Sequence, residues 1–405
     1  MIPWHMPPFG VGQLLRSTLS PAGVPDVRQI EQAYAKAFDI PYAIWLPSAR
    51  AGIEWALQSV LNSTGTVLCP AYNCRVVHDA VVRSGSAVTY IDSGPEGFLM
   101  DLTALAAASS GKYALVLSEL YGLTYDLAAL QSCALNPPAI RIFDMAMTVP
   151  TGPLLKRLTG NDFGVISFGL GKCFYAGWGG MGFTNDRALA DEIRRRRDSC
   201  LAPVSLKLTL SRIVQIYVRT VVHYCGLYGI ARILRRKPLA KEAAPQPPEQ
   251  NPASVYQPPA GLPLPWKAPS TYLDRRLILY NLRHAHWHAE LRLAQAARYH
   301  KNLQHVRGLG LPEHSNHPLS FYTIRVPAHT KKLIQDDLWQ RKISTGTLFD
   351  PESHIQPEQF PNANRIAGEV LNLPINTTLK DRDIDQICQC VAQCASIHLP
   401  DACYP

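Results

Sequence analysis

Between residues 26 and 200, short apolar runs alternate with helix-patterned stretches, and no other feature constrains the fold as tightly. Ala43-Ile44-Trp45-Leu46, Thr66-Val67-Leu68-Cys69, Ala87-Val88-Thr89-Tyr90-Ile91, Tyr113 to Leu117 and Ile140-Arg141-Ile142-Phe143 read as strands. Ala49 to Val60 and Arg75 to Arg83 read as helices between them. Alternation at this spacing requires crossover connections, hence an α/β domain with a largely parallel sheet. Val165-Ile166-Ser167-Phe168 and Met181-Gly182-Phe183-Thr184 read as further strands flanking a Gly-rich segment. The 405 residues, 47% apolar and 18% charged, suffice for one large or two modest domains and exclude general disorder.

The remainder has a different texture. Residues 238–269 hold ten of the 33 prolines, so they predict an extended linker rather than a helix or central strand. Regular structure resumes with a long helix from Tyr272 to Gln304, a strand at Phe321 to Val326, a helix at Lys331 to Lys342 and a last helix at Ile384 to Ala395. The expected division is an arm (1–25), a large domain (26–200), an insert (201–269), and a long helix with a smaller α+β domain (270–405).

Charge is unevenly placed. Residues 194–237 carry eleven basic side chains against one acid, Asp198, which exceeds the whole chain's net +9. The body is therefore near neutral, which excludes a nucleic-acid surface spread over the fold. Within this stretch the apolar pattern predicts two helices, about 204–224 and 227–236, with Gly226 and Gly229 at the break. Arg212 and Arg219, seven apart, fall on one face. The stretch reads either as an interfacial helix pair with cations near anionic headgroups or as a helical hairpin packed on a dimer partner. No stacking platform accompanies the charge, so nucleic acid ranks last.

The N-terminus, Met1-Ile2-Pro3-Trp4-His5, has neither a basic nor an apolar signal region, and no eighteen-residue apolar run is charge-free. The ten cysteines fit a reducing cytoplasm. Cys388, Cys390 and Cys394 match no common zinc spacing and read as packing in the last helix. His284, His286 and His288 alternate along a helix, spread around its axis, and read as surface or interface residues.

Chemistry concentrates around two segments. Asp144 ends the apolar run Phe143-Asp144-Met145-Ala146, at the carboxyl edge of a parallel sheet where α/β ligand sites form. Ser167-Phe168-Gly169-Leu170-Gly171-Lys172 follows, then Gly177-Trp178-Gly179-Gly180. A lysine in such a turn, an acid at a strand end and a helix start at Ser48-Ala49-Arg50 are the parts a pyridoxal 5'-phosphate (PLP) enzyme needs. The lysine condenses with the aldehyde, the acid keeps the pyridine nitrogen protonated, and the helix start holds the phosphate. The same residues also have plain readings: Asp144 as a helix cap, Lys172 as a solvated loop lysine, Ser48 as an N-cap.

In their shared order these segments resemble the DegT/DnrJ/EryC1/StrS aminotransferases, across most of the chain except 201–269. Leu46-Pro47-Ser48-Ala49-Arg50-Ala51-Gly52-Ile53 stands at that family's phosphate loop, and Cys69-Pro70-Ala71-Tyr72-Asn73-Cys74 at its Pro-x-x-Thr-aromatic segment. Glu119-Leu120-Tyr121-Gly122, Phe143-Asp144-Met145-Ala146, the Ser167…Lys172 spacing, Gly179-Gly180-Met181-Gly182, Phe360-Pro361-Asn362-Ala363 and Leu371-Asn372-Leu373-Pro374-Ile375 follow in register. The resemblance implies a PLP-dependent transferase of fold type I, α/β, with a large mostly parallel sheet domain and a smaller C-terminal α+β domain. It implies Lys172 as Schiff-base lysine and proton shuttle, Asp144 on the pyridine nitrogen, and Ser167 with the Ser48, Ala49 and Arg50 region on the phosphate. It implies transfer of an amino group, from a donor such as glutamate, to a keto sugar or related carbonyl compound, by a homodimer; the cysteine usage places it in the cytoplasm. The insert 204–237 adds peripheral contact at the membrane's inner face to that expectation, in a glycan or lipid pathway.

Departures from the pattern are local. Met147 stands where the family has Gln, or His in its dehydratase branch. Cys74 stands where an aromatic ring stacks on the cofactor, and Tyr72 is the nearby ring that can substitute. Ser270 or Thr271 stands near the Asn that reaches the partner's phosphate, and Leu348 at a substrate-segment His. These departures keep two other readings open: a non-catalytic PLP-fold protein whose insert binds a membrane or partner, and another PLP reaction such as a lyase or acyl-transferring synthase.

Overall fold

The computed structural model describes residues 1–20, 23–61, 65–95, 97–109, 111–133, 136–230, 265–312, 317–347 and 355–399. The sequence features at 238–264, the second insert helix beyond residue 230, and Leu348 lie outside these residues.

A seven-stranded sheet organises the larger part: β1 (Tyr42–Leu46), β2 (Thr66–Pro70), β3 (Ala87–Ile91), β4 (Tyr113–Ser118), β5 (Arg141–Asp144), β6 (Phe163–Ser167) and β7 (Gly180–Thr184), in the order β1-β7-β6-β5-β4-β2-β3. All neighbours are parallel except β7, which runs antiparallel to both β1 and β6. Helices cover both faces, which is why β4 is buried at all six positions and reads as a continuous apolar run. On one face lie α3 (Ala49–Leu61), α4 (Arg75–Arg83) and α8 (Arg187–Cys200), packed through Trp55, Leu57, Val81 and Ile193. On the other lie α1 (Val11–Leu19), α2 (Val27–Phe38), α5 (Leu102–Ala108), α6 (Leu127–Cys133), the short α7 (Gly152–Leu155), α9 (Leu206–Tyr224) and α10 (Tyr272–Arg283), around Tyr34, Phe168 and Leu277.

This topology fixes where a site can form. Because β7 reverses direction, β1, β4, β5 and β6 all end on the same edge. The start of α3 and the loop 168–179 between β6 and β7 therefore emerge side by side. A second sheet pairs β8 (Tyr322–Arg325) with β9 (Val370–Leu373), antiparallel. It packs with α11 (Ala285–Leu303), α12 (Ala328–Gln340) and α14 (Asp381–His398) around Tyr299, Ile324, Leu338 and Ile387; α13 (Pro361–Glu369) leads into β9.

Local chemistry explains several boundaries. Asp26 and Gln29 form a reciprocal capping box that starts α2, and Asp39 ends it in a left-handed conformation at φ 53°. Thr271 and Asp274 form a second capping box at α10. The long helix expected from Tyr272 to Gln304 is two helices, because the backbone leaves helical geometry at His284. The expected N-terminal arm contains α1.

Three sequence readings are corrected. The cations Arg194 to Arg197, on the large-domain side of the boundary expected at 200, are not free excess charge. They lie on α8, where Arg194 and Arg197 pair with Glu31 of α2, Arg195 and Arg196 with Glu192, and Arg197 also with Asp198. Glu31 and Glu192 precede the basic window, so its charge balance counted Asp198 alone among these partners. Arg212 and Arg219 share a face as expected, but it is the inner face. Both guanidiniums sit on the Trp178 ring, at 4.1 and 5.7 Å from its centroid. His288 is not a surface residue; it is buried against Phe174, and only His286 of that run is exposed, beside Glu290.

Candidate active site

Four strand ends and one helix start supply the polar groups at the sheet's carboxyl edge. Asp144 closes β5; its carboxylate accepts the Ala146 N–H at 3.0 Å, and burial raises its pKa while the nearby Lys172 charge and that N–H oppose the rise. Lys172 stands in the loop after β6. The loop is held by Phe168 N–H to Gly179 O (2.9 Å), Ala176 N–H to Phe168 O (3.0 Å) and Tyr175 N–H to Lys172 O (3.2 Å). Gly171, Gly177 and Gly179 take φ of 76°, 95° and 108° there, values that disfavour a side chain. Lys172 Nζ reaches Met147 Sδ at 3.2 Å. A thioether is a weak acceptor that leaves the amine's nucleophilic pair unblocked.

The start of α3 forms the second wall. Ser48 Oγ accepts the Ala51 N–H at 3.1 Å and donates to the Trp266 carbonyl at 3.0 Å, so this hydroxyl acts as a cap whose proton is already placed. The N–H groups of Ala49 and Arg50 open the helix and, as first-turn groups, have no acceptor within it. Gly180 lies against this turn so closely that a Cβ on it would stand 2.6 Å from Ile166 O and 3.0 Å from Ala49 N. Arg50 Nε is buried with no hydrogen-bond partner, while its guanidinium lies 4.9 Å over the Trp266 ring. Burial lowers the Arg50 pKa, with Asp79 and Cys74 opposing. Ser167 ends β6 and accepts the Gly169 N–H at 3.2 Å. An open helix start, a hydroxyl and a buried, unsatisfied guanidinium nitrogen suit a phosphate dianion. The residues present thus fit PLP.

The remaining predicted residues line the β2 side. Tyr72 is buried in a cluster with Phe98, Tyr121 and Met147, and its hydroxyl meets that of Tyr121 at 2.7 Å. Tyr121 holds this bond from a left-handed backbone, φ 60°, in the Leu120-Tyr121-Gly122 turn. Cys74 is half-buried and starts α4, its N–H donating to the Asn73 side chain at 2.7 Å. Thr271 is committed to Asp274, and Ser270 is buried beside it.

Two features escaped the sequence reading. Glu119 is fully buried in an ion pair with Arg157; burial raises its pKa to about 7 against Arg157's pull, and Asp144 adds to the rise. The other is the clamp on the lysine loop. Arg212 and Arg219 cover Trp178, and Ile216 and Asp274 crowd Gly177, where a Cβ would lie 2.7 and 2.5 Å from them. The seven-residue spacing of the two arginines was a usable signal; its ring partner, thirty-four residues earlier in the chain than Arg212, was not.

The model of the DegT/DnrJ/EryC1/StrS aminotransferase family matches residues 11–210 and 276–392. The chain belongs to this family. It is therefore a PLP-dependent aminotransferase of fold type I, and the unmatched gap holds most of α9 and the proline-rich stretch. Among solved structures it is similar to the putative sugar aminotransferase Spr1654 from Streptococcus pneumoniae in its PMP form (17% identity, TM-score 0.72, covering 98% of this chain and 100% of that one). It is also similar to the sugar aminotransferase CalS13 from Micromonospora echinospora (18%, TM-score 0.69, 97% and 100%). A third is the aminotransferase TlmJ from Streptoalloteichus hindustanus (18%, TM-score 0.68, 98% and 99%). No curated protein matches the chain.

Proposed function

We propose that this aminotransferase moves an amino group from glutamate to a keto sugar or related carbonyl compound, as a homodimer. The observation that carries the reading is the placement of Lys172 and Asp144 at the sheet's carboxyl edge, where the Lys172 charge opposes the burial-driven rise of the Asp144 pKa, beside the open start of α3. The sugar class rests on the printed names of the structural relatives, several of which are sugar aminotransferases.

PLP, when bound, supplies an aldehyde that amines condense with and a pyridinium ring that takes up an electron pair. Asp144 would keep the pyridine nitrogen protonated, in buried surroundings where a carboxylate gains most from a cationic partner. Ala49 and Arg50 N–H groups, with Ser167, would hold the phosphate. Lys172 Nζ would be the group that accepts and gives back the proton at the donor's α-carbon, and at the acceptor's carbon in the reverse direction. Its contact with Met147 Sδ at 3.2 Å would hold the amine near that path. Tyr72, Cys74 and Met147 line the ring's surroundings.

The test is a half-reaction. Glutamate added to the PLP-loaded protein should convert the cofactor to its amine form, and a keto-sugar nucleotide should restore it. A protein that binds PLP but is converted by no amino acid refutes the transamination reading.

A further inference from the structure

We infer that α1 and α9 together form a docking surface for an anionic lipid bilayer. The two helices pack side by side and antiparallel: Tyr217 OH donates to Thr18 Oγ1 at 2.9 Å, Tyr224 OH to Pro7 O at 3.1 Å, and Gly10 lies on the Tyr224 ring. At the seam, Leu15 and Leu19 neighbour Thr18 on α1, and Val214 and Val218 neighbour Tyr217 on α9, at the same −3 and +1 spacing. With Leu206 and Leu210 they make six large apolar side chains that are 44–75% exposed. A soluble protein has no reason to gather such residues on one pair of helices unless something covers them.

Charge decides what covers them. The sequence has no acid from residue 1 to 25 and none from 199 to 241. α1 and α9, one in each segment, are far apart in the chain yet pack together. Arg16 and Lys207 stand exposed on them, while Arg212 and Arg219 turn inward onto Trp178. A second copy of this face, related by a two-fold axis, would set cation against cation with no acid in either segment to compensate. An anionic bilayer offers the opposite: hydrocarbon for the apolar row and phosphates for the cations. No helix among the described residues is long and apolar enough to cross a membrane, so α9, about 28 Å long at 1.5 Å per residue, would lie in the interface. Its inner face would still rest on the loop that carries Lys172. This surface is independent of the proposed reaction.

Flotation of the full-length, PLP-loaded protein tests it. Vesicles of phosphatidylcholine alone are compared with a three-to-one mixture of phosphatidylcholine and phosphatidylglycerol. The expected result is flotation with the anionic vesicles, weakened by salt, and reduced by about tenfold or more in the double variant Leu210→Glu, Val214→Glu. Both positions are exposed, so the variant's cofactor absorbance should match wild type, which separates a docking defect from misfolding. Wild type that ignores anionic vesicles overturns the inference, as does equal flotation on both vesicle types or by the variant. A variant that instead turns a dimer into a monomer in light scattering assigns the face to a second copy and also overturns it.

Discussion

Gly180→Ala is the sharpest probe of how the sheet builds the phosphate cradle. The added Cβ would stand 2.6 Å from Ile166 O, whereas ordinary contact begins near 3.4 Å, so about 0.8 Å of separation must be found. The atoms in the way are backbone, Ile166 O on β6 and Ala49 N and Ser48 C at the α3 start, so no rotamer change relieves the clash. Overpacking of this kind costs about 1–3 kcal/mol. At about 2 °C per kcal/mol for a chain this large, the melting temperature of the apoprotein should fall by about 2–6 °C. The larger effect is on the cofactor. Pushing Ala49 N away from β6 spoils one charge-assisted bond to the phosphate, worth about 1.5–3 kcal/mol, so PLP should bind about tenfold to a hundredfold more weakly. Gly152→Ala is the control: nothing lies within 4 Å of its Cβ, so PLP affinity should not change. Spectrophotometric titration of PLP and thermal melts of the apoproteins read both effects. Gly180→Ala with unchanged PLP affinity would refute the placement of the phosphate at this turn.

Other perturbations follow from the same contacts. His288 has its pKa lowered to about 3 by burial, with Arg292 adding to the shift. The unfolded chain therefore takes up a proton below about pH 6.5 that the folded state refuses, and stability is lost as pH falls from 6.5 towards 3. At pH 5 this is about 2 kcal/mol; His288→Leu should remove that dependence in urea melts at pH 5 and 7.5. Arg212→Met strips the closer cation from Trp178 and should lower stability by about 2 kcal/mol, and it should weaken PLP binding by titration. Arg195→Met, on exposed α8 surface beside Glu192, should change neither. Ser48→Ala removes the α3 cap and should cost about 1 kcal/mol in a denaturant melt.

The fold was legible because both of its signals are local. Strand runs such as Tyr113 to Leu117 are apolar throughout as both sheet faces are covered, and helix starts such as Arg75 show the change of period directly. The order of motifs then pointed to Asp144, Ser167 and Lys172, which the fold brings to one edge of the sheet. The charged residues were less legible, because their partners are set by tertiary contacts: Glu31 reaches Arg194 and Arg197 from more than 160 positions away. A window of basic residues cannot show that Glu31 of α2 pairs with two of its arginines. The same limit hid Glu119–Arg157 and the Trp266 carbonyl on Ser48, which joins residues 218 apart. His284, where the long helix breaks, carries neither proline nor glycine to announce it.

The central claim is that Lys172 is the residue that condenses with PLP. Reduction of the purified, PLP-loaded protein with borohydride, followed by proteolysis and mass spectrometry, tests it directly. The account predicts an absorbance band above about 400 nm before reduction, a pyridoxyl group on the Lys172 peptide after it, and neither in Lys172→Ala. A label on another lysine, or an unchanged band in Lys172→Ala, would contradict it.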